Sequence, residues 1–268
     1  MRNGRRARRT GWARSAPVRA MREFVQVIGV KNVMRRELSV EVYGLDELRQ
    51  LEGAALIVAN HASHLDTAVL LSTLPTKRRR RTAVGVASGH FFDSSLRTGV
   101  SAIAFNTFPI EQDGAVITTP VKLLAKGWSV VLFPEGSRSR DGFVGPFQID
   151  SAEIAVNAGV AVIPAGILGT YAAMPRGSNW PVPGRPRVSV RYGPPIIPQP
   201  DETPSEFALK IFDAVKKLLA EDGATWWKAQ QGVADVPEPP ASSWRRIWQQ
   251  SDPPVKGGKP PAEKIWRR

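Results

Sequence analysis

The chain has 268 residues, of which 42% are hydrophobic and 23% charged, a composition typical of a folded protein with one large or two small domains. It contains no cysteine, which excludes disulfides, a thiol nucleophile and Cys-ligated metal sites. Since only three histidines are present, a multi-histidine metal cluster is nearly excluded, and we expect no metal site.

The net charge of +13 is concentrated at the two ends of the chain. Residues 1–36 hold eleven Lys or Arg and one acidic residue, and residues 223–268 hold eight basic and four acidic residues. Residues 37–222 hold eighteen basic and nineteen acidic residues, so this part is nearly neutral. A neutral body with basic ends differs from a nucleic-acid-binding fold and favours attachment to an anionic membrane surface. We therefore expect no nucleic-acid partner; binding through the Arg-rich start is the alternative.

Composition divides the chain into four segments. Residues 1–20 are predicted to be a basic, disordered arm, and residues 21–36 an amphipathic helix. Residues 37–222 have the patterns of one α/β domain, and residues 223–268 form a basic tail rich in proline and tryptophan. No stretch reaches the roughly 18 apolar residues of a membrane-spanning helix. We expect the protein to lie peripherally on the cytoplasmic face of the cell membrane.

The predicted amphipathic helix is the candidate membrane dock. Its apolar residues near one face are Phe24, Val25, Ile28 and Val33. The basic residues that flank this face are Arg22, Lys31, Arg35 and Arg36. This pattern is suited to a bilayer surface. The alternative is a helix packed on the domain, with its arginines in solvent.

Strands and helices alternate through the central segment. In chain order we predict strands over 38–42 and 55–59, a helix over 63–73, a strand over 82–88, a helix over 116–126, a strand over 128–133, a helix over 152–158, strands over 160–168 and 188–192, and a helix over 205–221. The uninterrupted apolar run 55–59 is typical of a strand covered on both faces. Strands joined by crossover helices predict an α/β fold with a mixed, largely parallel sheet flanked by helices.

His61 and Asp66 are five residues apart where the second strand meets the first helix of this domain. In a continuous helix they would point about 140° apart, but if Ser63 caps the helix, His61 lies outside it and can fold back onto Asp66. An Asp–His pair holds one imidazole tautomer and stabilises the imidazolium, as a general base requires. Two alternatives remain: Asp66 serves only the helix N-terminus, or His64 is the reactive histidine.

A second polar segment, Phe-Pro-Glu-Gly-Ser-Arg-Ser-Arg-Asp-Gly, begins at Phe133 and follows a buried strand. Open α/β sheets bind ligands at such strand ends. Gly136 permits a tight turn, and Arg138 and Arg140 carry planar guanidinium groups that match phosphate oxygens. Glu135 is placed to orient an arginine or to accept a hydrogen bond from a hydroxyl. The alternative is a polar surface turn.

The order His-x-x-x-x-Asp, followed about seventy residues later by Phe-Pro-Glu-Gly-Ser-Arg, resembles the glycerolipid acyltransferase family. This family contains the 1-acylglycerol-3-phosphate acyltransferases, also called lysophosphatidic acid acyltransferases. Two weaker blocks of the family stand in the expected order, Phe108–Asp113 and Val162–Gly166. The resemblance spans roughly residues 38–219.

The resemblance implies an α/β layered domain that transfers a fatty acyl group from acyl-CoA or acyl carrier protein to a hydroxyl of a lysophospholipid, in phospholipid biosynthesis. It implies that His61 is the general base and that Asp66 orients it. The implied acceptor-binding residues are Glu135, Gly136, Ser137 and Arg138, with Arg138 on the phosphate. The acyl donor is a co-substrate, and no further cofactor is expected.

Gln112 departs from the family's pattern. The second block usually ends in an arginine that contacts the acceptor phosphate, and here the position is held by the neutral Gln112. Because a charge-assisted contact is lost, either Arg138 or Arg140 compensates or the acceptor has another head group. A non-catalytic lipid-surface binder with the same fold is a further alternative. The basic run 77–81 is predicted either to collect anionic lipid or a CoA phosphate, or to be a solvated surface.

Overall fold

Residues 10–87, 95–110 and 118–223 are described by the structure, a computed structural model of the chain. In chain order, the elements are a 3₁₀ turn (Gly11–Arg14), α1 (Ala16–Phe24), a π-helical turn (Val25–Val30), α2 (Lys31–Glu37), β1 (Ser39–Tyr43), α3 (Leu45–Gln50), β2 (Leu56–Ala59), α4 (Leu65–Thr73), α5 (Thr76–Arg79), β3 (Thr82–Ala87), α6 (Ser95–Phe105), β4 (Thr107–Ile110), α7 (Thr118–Ala125), β5 (Ser129–Leu132), α8 (Asp150–Ala158), β6 (Val162–Leu168), α9 (Thr170–Ala173), β7 (Arg187–Tyr192) and α10 (Pro204–Gly223). Each predicted strand and helix is present with ends shifted by a few residues, and α3, α5, α6, α9 and β4 are additional.

The strands of the described residues form one seven-stranded sheet in the order β1-β7-β6-β2-β5-β3-β4. Neighbouring strands are parallel except β6 and β7, which are antiparallel. In the centre of the sheet, Val58 of β2 lies opposite Leu132 of β5 on one side and Pro164 of β6 on the other. The predicted mixed, largely parallel sheet is therefore confirmed.

The reversal between β6 and β7 decides where their connection lies. Because β7 runs antiparallel to β6, both ends of the connecting segment 169–186 are at the same end of the sheet. This is the end at which β2, β5 and β6 finish, since these three strands are parallel. The segment 169–186 therefore lies next to the loops that follow β2 and β5.

Apolar side chains cover both faces of the sheet. One core contains Met34 of α2 and Leu70 of α4, and the other contains Phe207 of α10 together with residues of α7 and α8. Neighbouring residues of β2 alternate between the two cores, since Ile57 belongs to the first and Leu56 to the second. This explains why the sequence of β2 is apolar without interruption.

The N-terminal helical run begins earlier than predicted. A 3₁₀ turn precedes α1, which begins at Ala16 and has Pro17 in its first turn, a favourable position for proline. This corrects the expectation of a disordered arm for residues 11–20. The predicted helix 21–36 corresponds to the rest of the run, which continues through the π-helical turn into α2. Within the described part of the chain, no helix has the length and apolarity needed to cross a bilayer.

A buried arginine anchors this run to the domain. Arg22 is only 4% exposed, and its guanidinium donates hydrogen bonds to the backbone carbonyls of Ala13, Ala102 and Ile103. The last two carbonyls belong to the final turn of α6; that of Ala102 also accepts the backbone amide hydrogen of Asn106 at 3.1 Å. Burial lowers the pKa of Arg22 to about 10, so its guanidinium remains charged at neutral pH. This long-range contact explains the order of residues 11–20.

The basic run 77–81 lies at the opposite end of the sheet, because it precedes β3. Arg79 is buried, and Arg78 donates hydrogen bonds to the carbonyls of Leu51 and Gly53. Arg80 pairs with Glu23 of α1 across 2.6 Å. Arg78 and Arg79 thus join the amino end of the sheet to neighbouring segments, whereas Lys77, Arg80 and Arg81 are exposed. Collection of an anion by the exposed residues stays a prediction.

Arg22→Ala is expected to lower the free energy of unfolding by roughly 2–4 kcal/mol, because the carbonyls of Ala13 and Ile103 lose the guanidinium as donor and that of Ala102 loses one of two donors. Arg36→Ala is the matched control, since this arginine of the same run has a side chain that is 88% exposed; it should change stability by less than about 0.5 kcal/mol. Urea unfolding of both variants measures the difference. Equal stability of the two variants would contradict the anchoring role of Arg22.

Candidate active site

Three loops meet at the carboxyl ends of the central strands β6, β2 and β5, where open α/β sheets form their ligand crevice. They comprise residues 60–64 after β2, 133–149 after β5 and 169–186 after β6. Asn60 joins the first to the third, because its side chain donates to the carbonyl of Ile167 at 2.9 Å and accepts from its amide at 2.8 Å. The pairing of β2 with β6 is thereby extended to the residue before His61.

His61 and Asp66 form a hydrogen-bonded pair at this end of the sheet. Nδ1 of His61 lies 2.8 Å from Oδ2 of Asp66; the carboxylate is fully buried, whereas the imidazole side chain is 19% exposed. The backbone amides of Ala62 and Ser63 donate to the same oxygen at 2.7 and 2.8 Å. The three donors stabilise its negative charge. Asp66 thus favours the tautomer with the proton on Nδ1, which leaves Nε2 of His61 free to accept a proton.

The structure distinguishes the two candidate histidines. The ring of His61 stacks on Phe133 with 4.3 Å between the ring centroids, which fixes its plane in addition to the bond from Asp66. His64 lies immediately before α4 and is not the histidine that Asp66 holds. Partial burial lowers the pKa of His64, and the charge of Arg138 lowers it further. His61 is therefore the better candidate for the base.

The loop after β5 is fixed to His61 through backbone groups. Glu135 accepts the amide hydrogen of His61 on Oε1 at 2.7 Å and that of Gly145 on Oε2 at 2.8 Å. The amide of Ser139 donates to the carbonyl of His61 at 2.7 Å. Glu135 thus positions the backbone of the base, a role that the sequence did not indicate. Its contact with an acceptor stays a prediction.

Gly136 occupies a turn that disfavours any other residue. Its φ of +69° is a left-handed conformation, which glycine adopts without strain. A Cβ at this position would lie 2.7 Å from the side-chain Nε2 of Gln148. The backbone amide of Gln148 donates a hydrogen bond to the carbonyl of Pro134 at 2.8 Å. Beside this turn, Ser137 is exposed and Arg138 half-buried.

Arg138 shares its surroundings with Arg176, a residue that the sequence analysis missed. Partial burial lowers the pKa of Arg138, and the like charge of Arg176 lowers it further, whereas Asp66 acts in the opposite direction. Among the described residues, neither guanidinium has a hydrogen bond or ion pair. The signal in the sequence was an arginine in the turn Met174–Gly177, shortly after the fourth block, but nothing local connects this turn to His61.

The second block is described only in part. Phe108, in β4, is 1% exposed and belongs to the core, while Ile110 ends the strand. Gln112, the predicted acceptor contact of this block, lies outside the described residues, as does the third histidine, His90.

Comparison with known proteins first gives the class of protein to which the fold corresponds. A family model described as Acyltransferase matches residues 39–168, which include His61, Asp66 and the loop after β5. The crystal structure of the 1-acyl-sn-glycerophosphate (LPA) acyltransferase PlsC from Thermotoga maritima is similar with a TM-score of 0.57 and 26% identity, over 73% of this chain and 79% of that chain. The chain therefore has the fold of an acyltransferase of the PlsC type.

Two named acyltransferases are similar to this chain in sequence. The chloroplastic 1-acyl-sn-glycerol-3-phosphate acyltransferase LPAT1 of Arabidopsis thaliana is 32% identical over 153 residues, which cover 52% of this chain and 39% of that protein. A 1-acyl-sn-glycerol-3-phosphate acyltransferase of Limnanthes douglasii is 25% identical over 180 residues, which cover 65% of this chain and 60% of that protein. The chain thus matches less than two thirds of the length of either relative. The comparisons confirm the predicted resemblance to the 1-acylglycerol-3-phosphate acyltransferases.

Gly136→Ala is expected to destabilise the protein more than Gly53→Ala. Both glycines have a left-handed φ, of +69° and +76°, so both variants incur the backbone penalty of roughly 1 kcal/mol. Nothing lies within 4 Å of a Cβ at Gly53, whereas a Cβ at Gly136 meets Gln148. Urea unfolding should therefore show an extra loss for Gly136→Ala, and adding Gln148→Ala should restore part of it. Identical losses at the two glycines would contradict the close packing of this turn.

Proposed function

We propose that the chain transfers a fatty acyl group from the thioester of acyl-CoA or acyl carrier protein to a hydroxyl of 1-acylglycerol 3-phosphate or a related lysophospholipid. The observation that carries this proposal is the His61–Asp66 pair in the crevice of the sheet, with Nδ1 held at 2.8 Å and Nε2 free. The half-buried Arg138 beside it supports an anionic acceptor. The names of the similar proteins support the same reaction.

In this reaction Nε2 of His61 removes the proton of the acceptor hydroxyl while the hydroxyl oxygen attacks the thioester carbonyl. The Asp66 carboxylate stabilises the imidazolium that forms. The tetrahedral intermediate then collapses: the carbon–sulfur bond breaks, and the thiolate takes the proton from Nε2. The ester and the free thiol leave, and His61 is neutral again. Because the chain has no cysteine, acyl transfer to an enzyme thiol plays no part.

His61→Ala is expected to lower the rate of thiol release from acyl-CoA, with lysophosphatidic acid as acceptor, by at least ~100-fold, since the general base is lost. Asp66→Asn keeps the size of the side chain but removes its charge, and we expect a loss of the same order or larger. Thiol release is followed in a continuous assay, and thermal unfolding shows whether each variant is folded.

Arg49→Ala is the control for this experiment, because Arg49 is an exposed residue of α3 at the other end of the sheet; among the described residues its one ion pair is with Asp46, at 3.0 Å. It should retain the full rate. If folded His61→Ala protein kept a rate near that of the wild type, the proposed mechanism would be wrong. If the wild-type protein bound liposomes but released no thiol with any lysolipid, the non-catalytic lipid binder would be favoured instead.

The N-terminal helical run is the membrane-docking element of this proposal. Several of its large apolar residues are exposed, namely Trp12, Met21, Phe24, Val27 and Ile28. Basic residues of the same run, Lys31, Arg35 and Arg36, are exposed as well. Apolar side chains flanked by cations are suited to an anionic bilayer surface. The opposite side of the run packs on the domain and includes Val33, which the sequence analysis had placed on the docking face.

Replacing Phe24 and Ile28 together by Ser is expected to weaken binding to anionic phosphatidylglycerol liposomes by at least ~10-fold, because apolar contact area is lost. Leu209→Ser is the matched control: Leu209 is 64% exposed, as is Phe24, but lies on α10, which packs in the other core. Liposome sedimentation measures both. Equal weakening by the two changes would contradict docking through the N-terminal run.

A further inference from the structure

Arg176 lies in a turn that is tied to the loop of the base. The hydroxyl of Ser63, which stands between His61 and Asp66 in the chain, donates a hydrogen bond to the carbonyl of Met174 at 2.9 Å. Met174 and Ser63 are both buried, so this bond holds the start of the turn against the catalytic loop. Arg176, two residues further on, is therefore placed at the rim of the same crevice.

Arg138 belongs to the loop after β5, which is also bonded to the loop of the base. The next residue, Ser139, donates its amide hydrogen to the carbonyl of His61 at 2.7 Å. The loops that carry the two arginines are also joined directly, because the hydroxyl of Tyr171 donates to the carbonyl of Arg140 at 2.9 Å. The three loops thus hold one another by hydrogen bonds to backbone carbonyls, and each arginine belongs to a loop that is bonded to the loop of His61.

This arrangement brings two positive charges together beside the candidate base. Within the described part of the chain, neither Arg138 nor Arg176 has a hydrogen bond or an ion pair. The carboxylate near Arg138 is Asp66; its Oδ2 accepts three hydrogen bonds, while its buried Oδ1 has no hydrogen-bond partner among the described residues. Two guanidinium groups at close range repel each other, and an anion between them removes the repulsion. Their planar forks match the oxygens of a phosphate group.

We infer that Arg176 and Arg138 together bind the phosphate group of the acceptor, and that Arg176 makes the enzyme selective for a phosphate monoester. The inference rests on the proposed function and adds a residue and a specificity to it. A phosphate monoester carries up to two negative charges at neutral pH and so satisfies both arginines. A phosphodiester such as lysophosphatidylcholine presents one negative charge on its phosphate, and monoacylglycerol has none. The order of preference is therefore lysophosphatidic acid, then lysophosphatidylcholine, then monoacylglycerol.

The test compares Arg176→Ala, Arg176→Lys and the control Arg49→Ala in the full-length protein. With lysophosphatidic acid, Arg176→Ala is expected to raise KM by about 10- to 100-fold, the effect of losing one charge-assisted contact, with a smaller change in kcat. Arg176→Lys keeps the charge but not the fork and should lie between Arg176→Ala and the wild type. With monoacylglycerol, Arg176→Ala should match the wild type, which a merely structural role of Arg176 would not allow. Arg49→Ala should match the wild type with each acceptor.

Binding of labelled lysophosphatidic acid without an acyl donor gives a second measurement that does not depend on turnover. Weaker binding to Arg176→Ala than to the wild type supports the inference, even if the wild type releases no thiol and the proposed function fails. Unchanged KM and unchanged binding in Arg176→Ala would overturn it, even if His61-dependent turnover is present. An equal loss with monoacylglycerol would also overturn it, because the effect would then not depend on the phosphate.

Discussion

The fully buried carboxylate of Asp66 is the constraint on which the rest of the site depends. Burial of a charge is costly unless hydrogen bonds compensate, and Oδ2 receives them from His61 and from the amides of Ala62 and Ser63. To supply these donors, the chain must turn back on itself directly after β2. The same turn brings the imidazole onto Phe133 and turns the carbonyl of His61 toward the loop after β5. The conformation of one loop thus follows from the solvation of one carboxylate.

The direction of β7 then links this site to the N-terminal helical run. The segment 169–186 stays at the end of the sheet where His61 lies, and it contacts the last turn of α2. Trp180 donates to Glu37 at 3.4 Å, and Arg185 donates to the carbonyl of Arg35 at 3.1 Å. The segment that carries Arg176 therefore contacts the proposed docking element as well as the catalytic loop.

Local patterns in the sequence were sufficient for the elements and for the His61–Asp66 pair. Apolar runs and periodicity depend on neighbouring residues, and the five-residue spacing of the pair is local as well. The roles of Glu135 and Arg176 depend instead on contacts between distant segments, since the bond from Ser63 to Met174 joins residues 111 positions apart. The order of residues 11–20 has the same origin, because Arg22 is satisfied by carbonyls of α6. No pattern in the sequence around Glu135, Arg176 or residues 11–20 indicates these long-range contacts.

The charge of the chain acts at two ranges. Residues 1–36 have a net charge of +10 and residues 223–268 of +4, and the attraction of such charges to an anionic surface is screened by salt over about 10 Å. Arg138 and Arg176 are different, because the loops that carry them are fixed to the catalytic loop and Arg138 is half-buried. The partly buried charge of Arg138 is screened less than an exposed charge, and Arg176, which is exposed, is placed beside it by the hydrogen bonds of its loop. In the proposed function, the charge of the ends attracts the protein to an anionic membrane, whereas the two arginines bind the phosphate of the acceptor.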